Sequence, residues 1–202
     1  MPYSQFNLED VKSSLGVQIV DRKGLFKDIK PISYSDFLTT SLENYAPLGV
    51  AIGTEKSRSE FIIAPILFEL RQQLVDTVSL FSGKEFNVLP EKGLSGFCDF
   101  LISRSPEQLL ITSPIVTIVE AKNDNIATGI GQCIAEMVAA QIFNERHQEP
   151  IKAIHGVVTT GSVWKFMRLQ GTTVEADLDE YYLNDVSKLL GILRHCCESA
   201  ED

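Results

Sequence analysis

Apolar residues recur at helical spacing in two long stretches of the chain, and these stretches predict its two principal helices. Residues 54–75 carry one apolar face, within which Pro65 is expected to bend or restart the helix because proline lacks a backbone N–H. Residues 129–146 carry the second apolar face. Capping residues and shorter amphipathic patterns predict three further helices, at residues 7–11, from Ser35 to before Pro47, and at 181–196.

Shorter runs rich in β-branched and aromatic residues predict strands. One short strand is expected at residues 17–20, ahead of both long helices. Six more follow the long helices in two groups of three, at 85–89, 96–103, 115–121, 153–159, 163–169 and 172–176. This order of helices and strands predicts an α/β sandwich with a mixed central sheet, folded as one domain of 202 residues.

The composition is that of an ordinary globular protein, with 44% hydrophobic and 22% charged residues. No apolar run approaches the length of a membrane span, and the first ten residues lack the basic and apolar regions of a signal peptide. The cysteines show no Cys-x-x-Cys spacing and the histidines lie far apart, so neither a redox pair nor a zinc site is indicated. We therefore expect a cytoplasmic protein with reduced, partly buried thiols and no membrane association.

The strongest chemical signal is a pair of acids and a lysine in two of the predicted strands. Asp99 lies in the run at 96–103, and Glu120 and Lys122 close the run that begins at Ile115. Side chains alternate along a strand, so Glu120 and Lys122 share a face, and Asp99 joins them if the two strands are neighbours. A divalent-metal phosphodiesterase needs these groups: carboxylates that hold Mg²⁺, and a lysine that steadies the attacking water and the developing negative charge.

These residues and their order resemble the PD-(D/E)xK nuclease superfamily, which has the restriction-endonuclease-like fold. Its pattern is a helix carrying an acid, a hairpin carrying Asp, a strand ending in Glu-x-Lys and a following helix, and all four parts occur in order over about 54–170. Residues 54–67 are similar to the opening helix of the nuclease module at the N-terminus of type I restriction enzyme R subunits. The whole chain is similar to small stand-alone uncharacterised members of the superfamily that are common in cyanobacteria.

The resemblance implies a three-layer sandwich in which an N-terminal helical extension and a C-terminal helix flank the nuclease core. It implies Mg²⁺- or Mn²⁺-dependent hydrolysis of DNA, with Asp99, Glu120 and the Ala121 carbonyl as metal ligands. The fourth ligand is an acid of the first long helix, for which both Glu55 and Glu60 are candidates. Glu60 is preferred because it lies beside the apolar face of that helix. Glu69, further along, is expected to face solvent.

The remaining site residues are assigned in the same way, with two departures from the family pattern. Lys122 would orient the attacking water, and Gln132 would hold the substrate or Lys122. Gln132 matches the glutamine of a Gln-x-x-x-Tyr motif in one branch of the superfamily, but Glu136 stands in place of the tyrosine, where an acid could repel a phosphate. Cys98 replaces the proline of the motif name, which has no chemical role.

Several alternatives remain open from the sequence. The net charge of −9 leaves few bases for phosphate contacts, which predicts weak DNA binding. A catalytically silent module of nuclease fold that binds a protein partner is therefore the alternative function. DNA against RNA as substrate and a homodimer against a monomer are not decided. The segment Gly129-Ile130-Gly131 either admits a phosphate to a helix N-terminus or is a loose helix start, and Trp164 and Phe166 are interpreted as core residues in preference to base-stacking ones.

Overall fold

The computed structural model describes residues 2–199, and the elements below are those of this range. The α-helices are α1 (Leu8–Leu15), α2 (Asp36–Ile52), α3 (Glu55–Arg58), α4 (Ala64–Gln73), α5 (Ala127–Arg146) and α6 (Val186–Glu198). The strands are β1 (Gln18–Arg22), β2 (Ser79–Glu85), β3 (Phe97–Ser103), β4 (Ile115–Ala121), β5 (Ile154–Thr159), β6 (Val163–Gln170), β7 (Thr173–Asp177) and β8 (Tyr181–Tyr182). A π-helical segment, Ser59–Ile63, joins α3 to α4.

The strands form one mixed sheet in the order β1-β7-β6-β5-β4-β3-β2, with β8 paired to β6. Two pairs are parallel, β1 with β7 and β4 with β5, and the remaining pairs are antiparallel. The helix α5 connects β4 to β5, because two parallel strands need a crossover connection. The predicted α/β architecture with a mixed sheet is therefore confirmed, and β3 and β4 are neighbours as the candidate site demands.

Helices cover both faces of the sheet, so two hydrophobic cores form. One core lies under α2, α4 and α6 and contains the fully buried Trp164 and Phe166, which confirms their interpretation as core residues. The other lies under α1 and α5 and contains Cys98 and Cys133. All four cysteines are free and buried, as expected. No helix among the described residues is long and apolar enough to cross a membrane.

Proline placement explains two features of the helices. Pro47 was expected to end its helix, but α2 continues to Ile52 because Pro47 lies on the exposed side, where water can bond the carbonyl that loses its donor. The bend expected at Pro65 takes the form of the π-helical segment, in which the Ala64 N–H donates to the Ser59 carbonyl. Single π turns of this kind are frequent at functional sites.

Three sequence predictions are wrong in position or exposure. A strand was expected at residues 85–89, but the strand of this region, β2, lies earlier in the chain, at Ser79–Glu85. Residues 181–182 pair with β6 as β8 before α6 begins. Glu69 was expected to face solvent but is buried, because its carboxylate accepts hydrogen bonds from the Ser35 N–H (3.0 Å), the Ser35 hydroxyl (2.6 Å) and the Gln73 amide (3.0 Å).

Candidate functional site

Asp99 and Glu120 lie on the antiparallel neighbours β3 and β4. The last paired residues of this ladder are Phe100 and Val119, so Asp99 and Glu120 follow that pair directly. Beyond it the Asp99 Oδ2 accepts the Ala121 N–H at 2.8 Å, so the aspartate side chain joins the two strands where the ladder ends. The chain thus brings both predicted carboxylates to one end of the β3–β4 pair.

Lys122 completes this group immediately after β4. Its ammonium donates to the Glu120 carboxylate and lies 3.7 Å from the Glu55 Oε2. The Lys122 backbone is anchored as well, because its N–H donates to the Thr159 carbonyl at 2.8 Å. The ammonium is therefore held between an acid of the sheet and an acid of α3.

The structure places the two candidate helix acids differently. Glu55 opens α3 after the N-cap Thr54 and reaches Lys122. Glu60, which the sequence favoured, lies in the π-helical segment, is largely exposed and forms an ion pair with Lys56 at 3.4 Å. Both acids line the same open cleft. Glu55 is the one that contacts Lys122, whereas Glu60 lies at the mouth of the cleft.

That cleft gives solvent access to the site. It has a volume of about 250 Å³. Its lining residues are Glu55, Lys56, Ser59, Glu60, Ser82, Gly83 and Asp99. Three of these residues are acids and only Lys56 is basic. The charge of the cleft therefore favours a cation and disfavours a phosphate that has no metal bound to it.

Gln132 and Glu136 lie one helical turn apart on α5, at the inner side of the site. The Gln132 amide donates to the Glu136 Oε1 at 3.0 Å, and Glu136 is fully buried. Within residues 2–199 the Gln132 amide thus hydrogen-bonds Glu136, whereas the Lys122 ammonium hydrogen-bonds Glu120. Sequence reasoning noticed Glu136 only as a replacement for tyrosine, although its position inside an almost wholly apolar helix face was a signal that it is buried.

Burial controls the ionisation of the two inner carboxyls. It raises the pKa of Glu136 to about 8, against the lowering effect of the Gln132 hydrogen bond and with a further increase from Asp99. Burial also raises the pKa of Glu120 well above its usual range, helped by Glu136 and Asp99 and opposed by Lys122. Among the described residues, none donates a hydrogen bond to the Oε2 atom of Glu120.

The ionisation of Lys122 is set by opposing effects. Its burial would lower its pKa, but the neighbouring Glu120, Glu55 and Asp99 outweigh burial and raise the pKa above its ordinary value. The lysine is therefore a cation throughout the physiological pH range, with its charge balanced locally by acids.

The first turn of α5 makes room for this lysine. A β-carbon at Gly129 would lie 2.7 Å from the Val158 Cγ1 and 3.1 Å from the Lys122 Cε, so a larger residue would displace both side chains. Asn125 satisfies the helix start, since its Oδ1 accepts the Ala127 N–H at 3.0 Å. Gly129 thus serves the packing of Lys122, a role that the sequence alone did not reveal.

The donor set fits a magnesium site built on two carboxylates. Among residues 2–199 no group of three or more His, Cys, Asp or Glu is arranged to hold a metal. Mg²⁺ does not need such a cage, because it is commonly bound by one or two carboxylates, with waters and substrate phosphates completing its shell. The unpartnered Glu120 Oε2 and the nearby Asp99 carboxylate are oxygen ligands of the kind Mg²⁺ prefers.

The raised pKa of Glu136 predicts a pH dependence of stability. Its folded pKa of about 8 exceeds the unfolded value of 4.5, so the folded state binds the extra proton. This contribution is complete below pH 4.5 and is lost as the pH rises through about 8. With a metal chelator present, urea unfolding from pH 5 to pH 8 should show declining stability in the parent and a shallower decline in Glu136→Gln. Equal slopes would show that Glu136 is not a buried neutral acid.

No known protein-family model matches this chain, and no protein of curated function matches it. Membership of the PD-(D/E)xK superfamily therefore stays a prediction from the residues described above, and function has to be argued from the site itself.

Proposed function

We propose that this protein is a metal-dependent nuclease that hydrolyses a DNA phosphodiester at the cleft that Asp99 lines, with Glu120 buried beside it. The observation that carries the proposal is the position of Lys122, whose ammonium is held between Glu120 and Glu55 beside the Asp99 carboxylate. Stability alone gives little reason to enclose these charges, since burying ion pairs rarely stabilises a fold relative to apolar residues.

The fold supports the same reading. An antiparallel pair carrying the two acids leads through a crossover helix to a parallel strand, with a further acid-bearing helix packed at the mouth. This is the arrangement expected of a restriction-endonuclease-like three-layer sandwich. We take that finer fold assignment as part of the proposal.

The carboxylates have a binding role in the proposed reaction. Asp99 and Glu120, with the Ala121 carbonyl, would hold Mg²⁺ or Mn²⁺. The Asp99–Ala121 hydrogen bond keeps the aspartate and the end of β4 in a fixed relation, which orients these oxygens before the ion arrives. When bound, Mg²⁺ supplies Lewis-acid polarisation of the phosphate and activation of a water. Glu60, at the mouth of the cleft, is the remaining candidate ligand.

Lys122 would then act on the reacting groups as a fixed cation. Its ammonium, held between Glu120 and Glu55, would orient the attacking water and balance charge that develops on the phosphate. Gln132 would keep Glu136 in place behind Glu120, in agreement with their 3.0 Å hydrogen bond. The chain's own residues thus position the water and the phosphate but do not need to supply the Lewis acid.

The charge of the cleft favours weak, metal-dependent binding. Few basic residues mean few displaced counterions, so the affinity for DNA should be low and should change little with salt. We expect cleavage of supercoiled plasmid only with Mg²⁺ or Mn²⁺, and not with a chelator or with Ca²⁺ alone. Fluorescence anisotropy of labelled duplexes in increasing NaCl would check the binding. Tight binding without metal and a steep salt slope would contradict this prediction.

The experiment that tests the function compares substrates under these conditions. Single-stranded, double-stranded and branched DNA, and the matching RNA, are incubated with the parent and with Glu120→Gln. Metal-dependent cleavage in the parent alone supports the proposal. Cleavage by both proteins would place the activity elsewhere or in a contaminant.

The second candidate function is a silent module that binds a protein partner. The acidic lining of the cleft favours it, because Lys56, the basic residue there, is already paired with Glu60. Absence of both binding and cleavage on every nucleic acid, in the presence of metal, would move the assignment to this module. A basic protein segment would then be the partner that the acidic lining favours.

A further inference from the structure

The outer side of α2 carries a row of apolar side chains that the described part of the chain, residues 2–199, leaves exposed. Phe37, Tyr45, Leu48 and Ile52, here called the α2 stripe, are 65%, 49%, 49% and 50% exposed. Their spacing returns to the same side of the helix at each step, so they form one band along its axis. α2 therefore has two apolar faces, and only one of them is buried in the core.

The α2 stripe is broadened by aromatic residues of the helix beneath it. The rings of Phe37 and Phe68 meet edge to face with centroids 6.4 Å apart, and Phe68 is itself 44% exposed. The Tyr45 ring lies 6.1 Å from the Phe61 ring. The band is thus one continuous apolar patch and differs from the isolated apolar residues that are common on protein surfaces.

We infer that the α2 stripe is the interface of a homodimer in which α2 of one copy packs antiparallel against α2 of a second copy. At these exposures the stripe with Phe68 offers roughly 500 Å² of surface, within the range of the largest apolar patch on a monomer. A stable dimer buries about 800 Å² on each partner, so the residues that flank the stripe would contribute the remaining area.

The sequence of α2 is complementary to itself in the way a two-fold axis requires. Phe37 and Ile52 are equidistant from the point between Asn44 and Tyr45. Antiparallel packing about that point brings Phe37 of each copy onto Ile52 of the other, so the two halves of the interface are identical. The aromatic ring meets an aliphatic side chain at both ends of the band.

The same axis pairs small with large residues nearer the centre. Ser41 and Leu48 are also equidistant from it, which places Leu48 of each copy opposite the position of Ser41 in the other. Ser41 is small and its side chain is buried within its own chain, so it presents no bulk that would keep the two helices apart.

Charge explains why this face and not another would associate. Each copy carries a net charge of −9, so two copies repel each other in general. The residues of the α2 stripe are themselves uncharged, so two copies can meet there without direct like-charge contact between stripe residues. Added salt should therefore strengthen the dimer by screening the remaining repulsion.

The test is sedimentation equilibrium of the full chain over a wide concentration range. We expect a reversible dimer in the parent and at least about 30-fold weaker association in Leu48→Lys, since a charge replaces a central contact. Leu109→Lys is the matched control, because Leu109 is 86% exposed on the β3–β4 connection and should leave the dimer unchanged. Circular dichroism and thermal unfolding confirm that each variant folds.

A second variant keeps the test independent of such charge effects. Asn44→Cys, next to the proposed axis, should form a disulfide-linked dimer on mild oxidation, whereas Leu109→Cys should not. The native cysteines are buried, so they do not compete. A monomeric parent at all concentrations would overturn the inference and leave the stripe to a different partner. A dimer that withstands Leu48→Lys would also overturn it, because the interface would then lie elsewhere. Neither result depends on nuclease activity.

Discussion

Replacement of Lys122 by alanine is expected to abolish DNA cleavage while metal binding stays intact or becomes stronger. The variant removes the fixed cation that orients the water and balances developing charge, for which we expect a loss of at least about 10³-fold in turnover. It also frees Glu120 from its ion pair, so the carboxylate becomes more available to a divalent ion. Single-turnover cleavage and calorimetric Mn²⁺ titration measure the two effects separately.

Lys56→Ala is the matched control for this variant. Lys56 is a cation at the same cleft, but its side chain is 82% exposed and forms an ion pair with Glu60 at 3.4 Å. Its removal should change the cleavage rate little, since exposed ion pairs contribute little. Retained cleavage in Lys122→Ala would remove Lys122 from the mechanism, whatever the control shows.

Asp99→Asn is expected to lose cleavage and to bind DNA slightly better without metal. The amide oxygen of asparagine can still accept the Ala121 N–H, so the end of the β3–β4 pair should keep its shape. The lost charge removes a metal ligand, and loss of Lewis-acid stabilisation worth several kcal/mol corresponds to roughly 10³-fold in rate. The same change removes one repulsion against a phosphate, which accounts for the improved binding.

Asp76→Asn, an exposed change away from the cleft, provides the comparison for Asp99→Asn. Cleavage and anisotropy assays on both variants, with and without Mg²⁺, separate loss of the metal ligand from a general change in charge. An Asp99→Asn protein that cleaves as fast as the parent would place the reaction elsewhere.

The three central site residues could be predicted because their signal is local. Asp99 and Glu120 lie in consecutive strong apolar runs, and consecutive strands are usually neighbours in a sheet. Lys122 follows by strand alternation. The helices before and after these strands could be predicted from the two long apolar faces alone. The structure has helices in both of these stretches of the chain.

Other features depended on long-range packing, which the sequence does not encode locally. Glu55 and Lys122 lie far apart in sequence and meet only in the folded chain. The π-helical segment after α3 was also missed, because i→i−5 hydrogen bonds are not visible in a helical periodicity. Glu69 is buried by contacts from Ser35, far away in sequence. The position of β2 was predicted too late in the chain because Phe86 and Val88 alternate like strand residues. Both are buried, but they lie in irregular structure after β2.

Glu136 shows a different limit. Its neighbours on α5 are apolar at helical spacing, so burial was readable, but the chemical consequence depends on Glu120 and Asp99 arriving from two strands. Only the folded chain places the Glu136 carboxyl next to the site residues Glu120 and Asp99.

Calorimetric titration of Mn²⁺ and Mg²⁺ into the parent and into Asp99→Asn tests the central claim most directly. A metal held by Asp99 and Glu120 predicts saturable binding at one class of site in the parent, and loss of most of that binding in the variant. No saturable binding in the parent, or the same binding in both proteins, would contradict the assignment of these carboxylates to a metal site.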